Sequence, residues 1–294
     1  MNERFKLLIG YDGSSCSDAA LTDLKRAGLP QQVEAVVVTV AHVFLPPEGE
    51  VPDDEMVSPG AAAMMAHSQM DARKSVEHAL EIAEQGASRV KSDFPSWEVT
   101  VDAEGDSPSW GLINVAARLD PDLIVVGSHG HSSAGGRIIM GSVSLRVLYE
   151  ASCSVRVARC SDDRRNGPVR IVVGFDGSKA SDAALNSVAS RSWPVGSEVR
   201  VVTAREASRP EERSIRLEKL RAAGLLPIEI SKDGEPARVL VKEAGEWGAD
   251  SIFVGTRNLH GFQHLLHGSV SSAVAAHARC SVEVVRAAKA AAAA

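Results

Sequence analysis

Two loops, each present twice in the chain, contain residue types that could do chemistry. Residues 127–144 read G-S-H-G-H-S-S-A-G-G-R-I-I-M-G-S-V-S. Glycines let backbone approach a ligand without a Cβ in the way. Gly141-Ser142 then opens a helical pattern, whose free N–H groups and partial positive charge suit a phosphate. The same glycines could simply make a tight connection, with Ser142 capping the helix, and the loop taken alone divides evenly between the two readings. The other loop is Asp12-Gly13-Ser14, repeated as Asp176-Gly177-Ser178. Its Asp can accept hydrogen bonds from a ribose or an adenine amine, or it can form a turn and cap the next helix. For an isolated D-G-S the turn is the better reading. Asp and a Gly-rich loop at one sheet edge, twice in one chain, shifts the balance towards a site.

Other chemistries lack their residues. There is no G-x-x-x-x-G-K-[ST] and no Gly-Lys pair, which excludes a Walker-type NTPase. G-x-G-x-x-G, G-x-S-x-G and H-E-x-x-H are also missing. His260, His264 and His267 would share one helical face, but no acidic or cysteine partner stands near them, so a solvent or subunit face is preferred to a metal site. The four cysteines include no C-x-x-C. Cys153 and Cys280 occupy equivalent places before the last strand of each copy and read as buried structural thiols, with a redox sensor as the other option.

The elements that must position these loops come in two sets. Residues 9–21 and 173–185 are identical at nine of thirteen positions, and 141–159 matches 268–286 at eleven of nineteen. The offset falls from 164 to 127, so the second copy is the same unit with about 37 residues missing from its middle. In copy one the patterns predict strands at Lys6–Tyr11, Glu34–Phe44, Trp97–Val101, Asp122–Gly127 and Ser154–Ala158. Helices are predicted at Ser15–Ala27, Ala61–Phe94, Ser107–Leu119 and Gly141–Glu150, and an acidic, proline-rich loop at 44–60. Copy two repeats the series from Arg170 to Val285, with the deletion in the acidic loop and the long helix. Continuous apolar strands alternating with helices mean a parallel sheet covered on both faces. Such sheets bind ligands beyond the strand C-termini where strand order reverses, which selects the loops after the first and fourth strands.

These paired motifs resemble those of the universal stress proteins, in a tandem arrangement. That family's nucleotide-binding members carry G-x2-G-x9-G-[S/T] after the fourth strand and an Asp at the end of the first. The resemblance implies an α/β fold of two Rossmann-like, HUP-type domains. Each would be a five-stranded parallel sheet of order 3-2-1-4-5 with helices on both faces, the two paired as a pseudo-dimer through their fifth strands. It implies domains at 1–160 and 168–287, a linker at 161–167 and a tail at 288–294. It also implies ATP as cofactor, with or without Mg2+. Carried over by position, adenosine would lie near Tyr11, Asp12 and Val40, and its phosphates near Gly127, Gly130, Gly141, Ser142 and Ser144. In copy two the matches are Phe175, Asp176 and Ala204, then Gly255, Asn258, Gly268, Ser269 and Ser271. Copy one departs by a spacer of ten residues between Gly130 and Gly141, copy two by Asn258 in place of the second glycine.

Composition bounds the rest. The 294 residues carry a net charge of −6 and are 44% apolar. Residues 1–160 hold 13 basic and 22 acidic groups, residues 161–294 hold 19 and 16, so neither half has the clustered basic surface of a nucleic-acid binder. No apolar run is long enough for a membrane span and no signal peptide is legible, so a cytoplasmic protein is expected. The resemblance implies as partners an adenine nucleotide and the opposite half of the chain, with a homodimer of chains as a further option. The leading expectation is a non-catalytic, nucleotide-dependent regulator in a stress response. The rivals are a slow ATP-hydrolysing or nucleotide-transferring enzyme and a scaffold with vestigial sites.

Overall fold

The computed structural model describes residues 4–43, 59–129, 140–159, 167–204, 217–256 and 270–287. In the first half, β1 (Phe5–Gly10), α1 (Ser15–Asp23), β2 (Val33–His42), α2 (Pro59–Asp93), β3 (Glu98–Asp106), α3 (Pro108–Leu119), β4 (Leu123–Gly127), α4 (Ser142–Glu150) and β5 (Ser154–Ala158) alternate. The second half holds β6 (Arg170–Gly174), α5 (Lys179–Ala189), β7 (Glu198–Ala204), a helical segment described over 217–222 (α6) and β8 (Leu226–Lys232). It closes with α7 (Pro236–Trp247), β9 (Ser251–Thr256), α8 (Val270–His277) and β10 (Ser281–Arg286). The described strands form one ten-stranded sheet, β3-β2-β1-β4-β5-β10-β9-β6-β7-β8. Each half therefore has the order 3-2-1-4-5 and is parallel throughout. β5 and β10 meet antiparallel, with Arg156 opposite Glu283.

Alternation along the strands divides the core between two faces. Leu8, Val38, Ile124 and Val155 pack with Leu112, Val115, Val147 and Leu148 of α3 and α4. Leu7, Ile9, Val37 and Val125 pack with Ala20, Leu21, Ala83 and Val90 of α1 and α2. On the α3/α4 face the cluster continues without a break into Val254, Val282 and Val284 of the second half. On the opposite face each half keeps its own cluster. Complete burial of a side chain such as Leu8 or Ile124 contributes about 1.5–3 kcal/mol each, so the strands dominate the stability.

Most element boundaries lie within a residue or two of the sequence expectation, and three of the differences have a clear physical reason. The helix expected to reach Ala27 ends at Asp23 and tightens into a 3-10 turn at Leu24–Arg26. The long helix starts at Pro59, inside the expected loop, where a missing N–H is harmless. β3 runs to Asp106 rather than Val101, because β2 is ten residues long and pairs it as far as His42 with Asp106. The segments 44–58, 161–166 and 288–294 (most of the expected loop, of the linker and the tail) lie outside the described residues.

Candidate functional site at the sheet edge

The order reverses between β1 and β4 in one half and between β6 and β9 in the other. Ile9 stands opposite Val125 and Val173 opposite Phe253, so the segments leaving β1 and β4, and those leaving β6 and β9, emerge side by side. In both halves the segment after the first strand folds identically. Asp12 Oδ1 accepts from the Ser14 N–H at 3.0 Å, and Asp176 Oδ1 from the Ser178 N–H at 3.0 Å. Gly13 and Gly177 sit at φ 73° and 82°, the left-handed region that the turn requires. Ser14 and Ser178 then cap α1 and α5, each hydroxyl accepting from an N–H three residues on at 3.2 Å. The Asp therefore makes the turn as expected, while the helix cap expected of it is supplied by the serine two residues on.

Val40 and Ala204 hold equivalent places. Gly10 pairs with Val38 and Gly174 with Val202, so the strand positions two further on are Val40 and Ala204. Both belong to the α3/α4 side of the sheet. Tyr11 and Phe175 point to the other side, buried in the α1/α2 and α5/α6 clusters. The Tyr11 hydroxyl donates to Asp18 Oδ1 at 2.7 Å, and Asp18 is paired with Arg89 of α2. Only the backbone of Tyr11 and Phe175 is therefore presented at the edge where Val40 and Ala204 stand, and Thr39 Oγ1 already donates to the Tyr11 carbonyl at 2.8 Å.

Gly141 is the N-cap of α4, and no side chain caps it. Its N–H donates to the Ser128 carbonyl at 2.7 Å, which ties the helix start to the end of β4. Ser142 is exposed there, while Ser144 is buried and donates to the Gly127 carbonyl at 2.8 Å. A glycine N-cap followed by an exposed serine fits an anionic group, since the first turn of a helix carries unshared N–H groups. Ser271 of α8 is buried like Ser144. Gly130, Asn258, Gly268 and Ser269 lie outside the described residues, as do Cys160, His260, His264 and His267.

Gly127 and Gly255 have a reason to be glycine besides the one expected. A Cβ on Gly127 would lie 2.8 Å from the Cys16 carbonyl oxygen, and one on Gly255 would lie 1.9 Å from that of Ala180. Both positions let the end of a strand touch the first turn of α1 or α5. Beside the room for a ligand that the sequence predicts, these glycines make room for a helix.

His129 ends the described part of the loop after β4. Its Nδ1 lies 3.1 Å from Ser128 Oγ, beside the start of α4. Burial and the nearby Arg159 guanidinium push its pKa below the usual imidazole value, so the ring is neutral at pH 7. The thiols behave as expected of structural groups: burial raises Cys153 to about 11 and Cys280 to about 12, well away from a reactive thiolate. Among the described residues no cluster of three metal-ligating side chains occurs, and no helix is long and apolar enough to cross a membrane.

The fold and edge define a tandem, doubly wound α/β protein. The sequence model of the universal stress protein family matches residues 3–159 and 203–286, and the chain belongs to that family. The second match begins within β7, although β6 and α5 before it repeat β1 and α1. A universal stress protein of Mycolicibacterium smegmatis is 28% identical over 96% of this chain and 97% of its own length. One from Mycobacterium tuberculosis is 27% identical over 97% of each. The crystal structure of a universal stress protein from Archaeoglobus fulgidus superimposes with a TM-score of 0.69, at 21% identity, over 96% of this chain and 98% of that one.

Proposed function

We propose that each half of the chain binds an adenine nucleotide, ATP in the first instance, at the C-terminal edge of its sheet, and that occupancy regulates shape or partner choice in a stress response. The observation that supports this is the convergence of Asp12, Val40 and the α4 start at Gly141-Ser142 on the strand-order reversal of the first half. The base would meet Asp12 and Val40, and the phosphates the first turn of α4. Mg2+, when it accompanies ATP, would travel on the phosphates. In the second half Asp176, Ala204 and Ser271 repeat the framework. We assign the domains as 1–160 and 168–287.

Mass spectrometry of the purified protein for retained nucleotide is the direct test, followed by calorimetric titration with ATP. Gly141→Val places a branched side chain at the uncapped helix start, and Gly268→Val is the change at the matching sequence position of the second half. The expected result is loss of the tighter site from Gly141→Val and of the weaker one from Gly268→Val. No nucleotide in the purified protein and no heat of binding would overturn the reading. One observation favours a slow ATPase instead: neutral His129 beside the helix start has the protonation state of a general base. Steady-state phosphate release separates the two, and turnover above about 1 per second belongs to an enzyme.

A further inference from the structure

The antiparallel contact of β5 with β10 relates the halves by a pseudo-twofold axis. Val155, Arg156 and Val157 face Val284, Glu283 and Val282. At the repeat offset of 127, Arg156 is the counterpart of Glu283 itself. The axis therefore passes through this one pair, where a true twofold dimer would set a residue against its own copy.

Four polar contacts of the seam form two matched sets, the same in both directions, whereas Ser281 Oγ donating to Asp23 Oδ1 at 2.8 Å and Arg26 pairing with Asp250 at 2.8 Å run one way only. The Arg159 N–H donates to Ser281 Oγ at 3.1 Å, and the Arg286 N–H donates to Ser154 Oγ at 3.2 Å. The Arg159 guanidinium donates to the Ala275 carbonyl near the end of α8, and that of Arg286 to the Leu148 carbonyl near the end of α4 at 3.0 Å. Ser154 matches Ser281 and Arg159 matches Arg286, while valines match valines. A half paired with its own copy would reproduce the matched contacts.

The axial pair is different. Arg156 and Glu283 are fully buried, with Arg156 Nη1 3.5 Å from Glu283 Oε2. Each is held by a charge from its own half. Arg156 Nε donates to Asp23 Oδ2 of α1 at 2.6 Å, and Arg191, which follows α5, donates to Glu283 Oε1. The Arg191 guanidinium also lies over the Phe253 ring, 5.1 Å from its centroid. Charges thus alternate Asp23, Arg156, Glu283, Arg191 along a line out of water. A first half paired with itself would oppose two buried arginines, and a second half paired with itself two buried glutamates. Like charges directly opposed in an antiparallel pair are destabilising, and the more so when desolvated.

We infer that the Arg156–Glu283 pair is a partner-selecting element: the β5 seam of the first half accepts a β10 seam of the second half, from this chain or another copy, and neither half accepts itself.

The test starts from the full chain, folded intact and then cut at a protease site placed within 161–166. Native mass spectrometry after prolonged equilibration should find the mixed pair in at least about hundredfold excess over either self-pair. The same cut chain carrying Arg156→Leu and Glu283→Leu removes the charges and keeps the shared contacts, and self-pairs should now form readily. Self-pairs from the wild-type chain at a tenth of the mixed pair or more would overturn the inference. So would a doubly substituted chain that stays exclusively mixed, because other contacts would then be selecting. If that variant does not fold, the uncut chain decides. Glu283→Arg should lower the melting temperature by at least about 5 °C more than Glu283→Gln. Equal effects of the two would show that charge across the axis is not felt.

Discussion

On α3 of the first half, Arg118 reaches Glu104 of β3 at 2.8 Å. At the matching places of the second half stand Glu246 and Lys232, 3.9 Å apart. The pair has been kept and its charges exchanged. Val36 and Val115 belong to the apolar layer beneath α3. Their counterparts Arg200 and Glu243 form an ion pair at 2.5 Å, with Lys232 on the second carboxylate oxygen at 2.5 Å. The two halves therefore share strand order, capped turns and glycine contacts but not the chemistry of individual pairs. A complementary pair can be reversed, or replaced by an apolar one, at small cost if both members change together. A backbone contact cannot be exchanged in that way.

The largest contrast between the halves should come from such a backbone contact. In Gly255→Ala the new methyl group would fall 1.9 Å from a main-chain oxygen of α5, and in Gly127→Ala 2.8 Å from one of α1. Strand or helix must move in both cases, and much further in the first, so we expect a loss of about 3 kcal/mol or more, against about 1 kcal/mol for Gly127→Ala. Urea unfolding of both variants measures this. Equal losses would mean that the two strand–helix contacts have the same slack, and that the halves are closer copies than the distances indicate.

These glycines also mark what a sequence can and cannot reveal. Strands such as Leu123–Gly127 and Ser154–Ala158 were legible because they are short apolar runs bounded by turn residues. The end of β3 was not, because Glu104, Gly105 and Asp106 have turn composition and are strand only through their pairing with β2. At the site, Asp12 and Asp176 were found with their turns. The sequence could show that Gly127 and Gly255 need to be small, but not what fills the space beside them. The axial pair was invisible for a simpler reason. Arg156 looks like an ordinary strand position until the register sets it against Glu283.

An intermediate effect is expected where the second half uses charge and the first uses valine. Burial pushes the Glu243 carboxyl up, but hydrogen bonds from Lys232 and Arg200 more than reverse this, and it titrates below the usual carboxylate value. A carboxylate lowered in the folded state stabilises above its unfolded pKa near 4.5, and that contribution is lost as pH falls through the folded value. Glu243→Val alone leaves Arg200 without its partner and should cost about 2 kcal/mol at pH 7. Arg200→Val with Glu243→Val recreates the first half's pair and should fall within about 1 kcal/mol of wild type, with a shallower loss of stability in acid. Denaturant midpoints at neutral and acid pH check both. If the double variant is as unstable as the single one, the charges are not an interchangeable solution to the same packing problem.

The smallest expected effect concerns Tyr11, which the second half replaces with Phe175. The Tyr11 ring packs against Gly86 of α2, where a Cβ would lie 2.7 Å from the ring, so Tyr11→Phe keeps the contact and removes only the hydroxyl. Lost with it is the 2.7 Å hydrogen bond to Asp18, which retains its ion pair with Arg89. About 1 kcal/mol is the expected cost at pH 7. Burial first, and Asp18 second, raise the Tyr11 pKa above its ordinary value of 10.0. A group raised in the folded state stabilises fully below its unfolded pKa, and loses that contribution as pH rises through the folded one. The gap between wild type and Tyr11→Phe should therefore be widest at neutral pH and narrow above about pH 10. Urea midpoints across that range measure it. A gap that stays constant with pH would show that the folded surroundings do not hold the hydroxyl protonated. A gap that closes would show that burial and the Asp18 bond together hold the Tyr11 hydroxyl protonated, a device that Phe175 lacks.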